Sequence, residues 1–325
     1  MRHFSLCPQV MRYLLGICLG AVLSSAAMGQ PSAGEERTLA ERLGYARHAR
    51  LLLVHADDLG VAHAVNAAST AALETGLVSS ASIMVPCPWF PEIAAYARAH
   101  PEADLGIHLT LTSEWKYYRW GPVLPESEVP TLVDGDGYLH ADAGEAARRM
   151  DPAQAEAEIR AQVERALAFG IRPTHLDSHM GTLFQTPALF EAYLRVGRDY
   201  GIPVLLPRES LAAEPAAPLR ALLKPGDVLI DRIAMATPDV PAAEWEAFYS
   251  GLVAALQPGV TEIILHAAYD GPEMQAVAAD HPDFGAEWRQ RDFDFFTSDT
   301  FRRLLAEHDV RLVTWREIGE ALRAP

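Results

Sequence analysis

Two adjacent aspartates, Asp57 and Asp58, close the stretch LLLVHADDLG at residues 51–60. An apolar run of that kind is buried, and neighbouring carboxylates at its end repel unless a cation or a proton relieves them. One carboxylate can bind a divalent cation while its neighbour takes a proton from water. A single aspartate before a helix is a common N-cap, but a cap needs one carboxylate, not two. A second cluster, THLDSH at 174–179, puts His175, Asp177 and His179 on one face of an extended strand, with Leu176 and Ser178 on the other. Two imidazoles and a carboxylate on one side can form part of a metal site, and a three-ligand set leaves room for water. His108, in LGIHLTLT, shares a face with Thr110 and Thr112, and His266 follows the apolar IIL of IILHAAYD. A lone histidine at either place is more often a hydrogen-bonded structural group. Four polar clusters at the ends of apolar runs are harder to dismiss than one.

The surrounding pattern supplies the elements that would position them. From Arg50 onward, short apolar runs alternate with helical stretches, which argues for a parallel sheet. Roughly six to eight such units fit a closed or nearly closed barrel, with a doubly wound open sheet as the alternative. In either, chemistry belongs at the carboxyl ends of the strands. The clearest helix is DPAQAEAEIRAQVERALAFG, with Asp151 as cap, Pro152 in its first turn and Gly170 as its stop. Residues 113–148 break the rhythm and read as an insertion over one end of the sheet. Within them VDGDGYLH suggests an Asp-Gly hairpin turn. Trp115 and Trp120, in EWKYYRW, suit stacking on a sugar ring equally with pinning the insertion to the barrel.

HADDLG, GIHLTLT and PTHLDSH, in this order and spacing, resemble the YdjC-like carbohydrate deacetylases, relatives of the wider NodB-type polysaccharide deacetylases. The resemblance runs from about Leu51 to the C-terminus, and ADD with HLDSH is its specific part. It implies an α/β fold of the irregular TIM-like (β/α) barrel type, and one divalent cation (Mg or Zn) held by Asp58, His108 and His179. Asp57 would be the general base and His266 the acid that protonates the leaving amine, with His175 and Asp177 behind the ligands. The implied activity is removal of N-acetyl groups from an acetylated amino sugar or oligosaccharide. An O-acetyl esterase using the same metal and a non-catalytic carbohydrate-binding protein are the alternatives. A pure binder would need neither Asp57 nor His266. Family members often carry asparagine where this chain has His55, and further histidines where it has Met180, Gly181 and Thr182.

Composition sets the remaining bounds. The 325 residues carry a net charge of −16, which disfavours nucleic acid and anionic membrane as partners and is silent on a neutral sugar. Arg2 and Arg12 precede the apolar run YLLGICLGAVLSSAAMG, which reads as a signal peptide over 1–29 and hence export to the periplasm or beyond. Lipoprotein anchoring at Cys18 ranks lower because bulky Ile17 precedes it. Residues 30–48 are expected to form a flexible leader, and 49–325 the barrel domain. Cys87 alone remains after cleavage, so no internal disulfide is expected and the thiol reads as a buried small hydrophobe. A homo-oligomer is compatible with all of this.

Overall fold

The computed structural model describes residues 37–323. Seven strands form one sheet: β1 (Arg50–Leu59), β2 (Ser80–Ile83), β3 (Leu105–Leu109), β4 (Leu176–Ser178), β5 (Arg232–Ala234), β6 (Gly259–Leu265) and β7 (Val310–Leu312). Their order is β4–β3–β2–β1–β6–β5, with β7 also paired to β1, and every pairing is parallel. Parallel neighbours need crossovers, and helices His63–Glu74, Phe90–Ala99 and Pro152–Ala168 provide the first three. The last of these begins as its sequence requires, with the Asp151 carboxylate accepting from the amides of Ala153 and Gln154.

β1 is the axis of the sheet. β6 follows it from Arg50 to Ala56, while its other edge is shared by β7 at Arg50–Leu52 and by β2 from His55 onward. The sheet curls as a half-barrel. Beyond β4, Leu176 bridges Val204, and Pro207 bridges Ile230 just ahead of β5, so segment 203–207 links the two ends of the sheet.

Period-two alternation divides β1 into two faces. Leu52, Val54 and Ala56 pack with the helices, alongside Val65, Ala68 and Ile93. Leu51 and Leu53 pack on the concave side with Val260, Ile230 and Trp315. His55 and Asp57 continue that concave face, so its lining passes from apolar at the floor to polar toward the strand ends. On β3 the same face carries Gly106 and His108. A Cβ on Gly106 would overlap the His175 ring, which is fully buried and stacked on Trp315. Gly106→Ala should therefore destabilise the protein by at least about 1–3 kcal/mol, the usual cost of overpacking, read as a lower midpoint in urea unfolding.

One expectation needs correction. Residues 30–48 were expected to form a flexible leader, and 37–48 of them are described. Instead Leu39–Arg42 is a short helix closed by a Thr38–Glu41 capping box, and Leu39 and Ala40 plug the floor of the half-barrel. Burial against Leu51 and Leu53 orders a helix too short to be stable alone. The signal peptide over 1–29 and residues 30–36 lie outside the described residues. Of the two readings open for Trp115 and Trp120, burial at 2% and 3% exposure favours rings that pin the insertion over rings that stack on a sugar. The insertion is further tied down by Glu158, which accepts from the amides of Val123 and Leu124, and it contains the expected turn, with Val133 bridging Leu139.

Cys87 is buried as expected, and burial followed by the Glu114 and Asp58 charges pushes its thiol well up, which disfavours the reactive thiolate. Among the described residues no helix is long and apolar enough to cross a membrane.

Candidate metal centre

Strand alternation alone would send Asp57 and Asp58 to opposite faces. The backbone resolves this at Asp58, whose φ is +71°, where the β1–β2 register shifts between Ala56 and Leu59. Aspartate tolerates the left-handed region better than most residues. The kink turns Asp58 back toward the concave side, beside Asp57. Both carboxylates thus reach one place from consecutive positions.

His108 at β3 and His179 just after β4 meet Asp58 there. His108 Nε2 lies 3.5 Å and His179 Nδ1 3.4 Å from Asp58 Oδ1, and the two ring nitrogens are 3.1 Å apart. All three residues are buried, and their ligating atoms lie within 4.8 Å of one another. Asp58 Oδ1 is buried and has no hydrogen-bond partner among the described residues. A buried carboxylate oxygen left without a donor, facing two imidazole nitrogens, fits a divalent cation.

The far nitrogen of each histidine meets a carboxylate. His108 Nδ1 donates to Asp177 Oδ1 at 2.6 Å, and His179 Nε2 to Glu114 Oε2 at 3.1 Å. Such backing carboxylates fix which ring nitrogen faces the centre. Burial opposes charge on both rings, but the carboxylates outweigh it. His108 is raised by Asp177 and Asp57, and His179 is pushed up to about 10 by Glu114 and Asp58. The negative field responsible is also the field that attracts a cation. Burial would raise the Asp58 carboxyl, yet Arg289, whose Nη2 donates to Asp58 Oδ2 at 2.7 Å, and the neighbouring histidines hold it well below the usual carboxylate range.

Asp57 stands beside this trio. Its Oδ1 lies 3.0 Å from His55 Nε2 and accepts from Ser82 Oγ at 3.4 Å, while its Oδ2 is 3.9 Å from both His108 Nε2 and His266 Nε2. His266 follows β6 and packs edge-on against Phe284. Burial, reinforced by Arg289, lowers its pKa to about 4, so the ring rests neutral. Its backbone amide donates to Asp292, which is also held by Trp245 and Tyr249.

Of the residues singled out in the sequence, Asp57, Asp58, His108, His179 and His266 come together at the ends of β1, β3, β4 and β6. Asp177 sits directly behind His108. His175 lies deeper, its Nε2 3.9 Å from Asp177 Oδ2 and its Nδ1 3.0 Å from Thr174 Oγ1, away from the centre. Trp115 lies under the Arg289 guanidinium, 5.6 Å from ring centroid to Cζ. Glu114, Arg289 and Asp292 were missed. Glu114 opens the aromatic loop EWKYYRW without a partner at a recognisable spacing, and Arg289 and Asp292 ride on helix Ala286–Phe296, more than two hundred positions from Asp58. Arg and Asp three apart on one helical face was the only signal available.

A family model described as YdjC-like protein matches residues 51–307. A carbohydrate deacetylase of Thermus thermophilus is 35% identical over 297 residues, covering 87% of this chain and 99% of the relative. A carbohydrate deacetylase of Thermoanaerobacter pseudethanolicus is 27% identical, over 71% of this chain and 86% of its own. A crystal structure from Enterococcus faecalis, provisionally named a cellobiose-phosphate cleavage protein, superimposes with a TM-score of 0.70 at 23% identity, over 83% of this chain and 99% of that one. That likeness concerns the fold.

Proposed function

This chain belongs to the YdjC-like family, and from that premise we propose that it is a metal-dependent hydrolase removing N-acetyl groups from an acetylated amino sugar or oligosaccharide. The observation that carries the reading is the convergence of Asp58, His108 and His179 around the unpartnered Asp58 Oδ1, with Asp57 and His266 alongside. Bound by those three residues, a divalent cation would polarise the amide carbonyl and acidify water. Asp57, through Oδ2, removes a proton from the attacking water. His266 delivers a proton to the departing nitrogen. Because His266 rests neutral, it must acquire that proton during the cycle, and Asp57 Oδ2 at 3.9 Å faces it. Arg289 holds Asp58 in place from the side remote from the histidines.

The test is acetate release from a panel of N-acetylated and O-acetylated sugars, before and after chelation. Free amine appearing only with metal supports the proposal. Free hydroxyl without amine would make the protein an esterase, and binding without release would make it a carbohydrate-binding protein on this fold.

The backing carboxylate gives a separate prediction. Glu114→Gln should keep the fold but weaken metal binding by roughly 10–100-fold, measured by titration of the metal-free protein. His179 would keep an amide oxygen as acceptor but lose the carboxylate charge that raises its basicity.

We also read the curled sheet as an irregular TIM-like barrel, supported by the bridges that link its two ends. Residues 1–29 are proposed as a cleaved signal peptide and the mature protein as exported. Cell fractionation with N-terminal sequencing tests this: a product beginning at Met1 in the cytoplasm would refute it.

A further inference from the structure

His55 lies three residues before the proposed metal ligand and is fully buried in the concave face of the sheet. Its Nε2 meets two carboxylates at once, Asp57 Oδ1 at 3.0 Å and Asp177 Oδ2 at 3.1 Å, with Ser82 Oγ also at 3.1 Å. On the other side, Nδ1 meets Ser80 Oγ at 3.1 Å, and Ser80 is itself held by Asp104. Each carboxylate that His55 engages turns its second oxygen to the site. Asp57 presents Oδ2 between His108 and His266, and Asp177 presents Oδ1 to His108 Nδ1.

We propose that His55 is a positioning residue whose Nε2 edge fixes both the base Asp57 and the carboxylate that orients the ligand His108. The proposal rests on the roles given to Asp57 and His108 above. Geometry gives the reason. A carboxylate held by one oxygen can rotate only about that anchor, so its free oxygen is aimed. Without His55, the hydrogen bonds left among the described residues are the 3.4 Å one from Ser82 to Asp57 and the one from His108 to Asp177; the other ring nitrogens near these carboxylates, on His108, His266 and His175, stand at 3.9 Å. Two carboxylates sharing one donor would also repel, and positive charge on the ring relieves that. Burial disfavours the charge, but Asp177 and Asp57 raise the imidazole well above its ordinary value. Glu262 of β6, 3.8 Å from Nδ1, faces the ring as well, with burial raising its own pKa to about 8. His175 packs edge-on against the ring from the β4 side.

The experiment compares His55→Leu and His55→Gln in the full-length, metal-loaded protein. Glutamine can place an amide NH₂, with its two N–H donors, where Nε2 stood. Leucine fills space and donates nothing. His55→Leu should lose kcat by roughly 10–100-fold, the scale for a lost supporting group, with KM and metal content unchanged. His55→Gln should recover most of it. A readout independent of turnover is the proton resonance of His108 Nδ1–H, which reports where Asp177 sits: it should move in His55→Leu and return toward wild type in His55→Gln. Should the leucine variant fail to fold, His55→Ala takes its place. Equal kcat and an unmoved resonance in the leucine or alanine variant would overturn the proposal. So would a folded His55→Gln as impaired as the variant without a donor. If wild-type protein releases acetate from no substrate, the functional reading fails, and the resonance alone still decides whether His55 holds Asp177.

Discussion

Asp58→Ala is expected to remove bound metal and activity together. It deletes the only carboxylate of the proposed ligand set, and two imidazoles alone make a weak site for a hard or borderline cation. The structure adds a cost that the sequence did not reveal. Asp58 Oδ2 is the partner of Arg289, which is 2% exposed, so alanine leaves a buried guanidinium without its counter-charge. Breaking a buried pair from one side costs about 3–5 kcal/mol, and the variant should melt several degrees lower. Metal analysis on protein shown to be folded by circular dichroism separates the two effects. Full metal occupancy in folded Asp58→Ala would remove Asp58 from the ligand set.

Asp57→Asn is expected to behave differently. Asparagine keeps an oxygen for His55 and Ser82, so the side chain stays in place, and the ligands Asp58, His108 and His179 are untouched. What disappears is the capacity to take a proton. Metal content should remain at the wild-type level while kcat falls by about 10²–10⁴-fold, the usual scale for a lost general base. Undiminished kcat would mean that Asp57 does not act as the base. Asp177 would be a poor replacement, because its oxygens are already engaged by His108 and His55.

The strand-borne part of this site was legible because alternation is a geometric certainty once a run is extended. His108 and Asp177 could each be given a strand face from spacing alone, whereas His179, expected on the same extended run, opens a 3-10 turn just after β4; the cap and stop of helix Pro152–Ala168 could be read from Asp151, Pro152 and Gly170. What spacing could not supply was the exception. Strict alternation separates Asp57 from Asp58, and only the left-handed conformation at Asp58 reunites them. Glu114 and Arg289 were invisible for another reason: each meets the site through a tertiary contact from a loop or a helix, where local sequence carries no period pointing to it. The aromatic loop was ambiguous because stacking on a ligand and packing into a core demand the same residues. The helix at Leu39–Arg42 was hidden because four residues are too few for an apolar period, and its Thr38–Glu41 capping box orders it only together with burial.

The position of β1 bears on how the molecule comes apart. With β6 along one edge and β7 and β2 dividing the other, β1 is paired on both sides, and it should belong to the segment that opens only when the whole domain opens. In amide hydrogen exchange, residues 51–56 should be among the slowest in the chain, exchanging at the global unfolding limit. Asp57 and Asp58 continue that segment directly. Catalytic competence should therefore survive opening of surface elements that do not reach the site, fail when the segment carrying Glu114 or helix Ala286–Phe296 opens, and vanish at the latest with cooperative unfolding. A denaturant series in which activity and β1 protection decay at the same midpoint would show the site to be as durable as the fold that carries it.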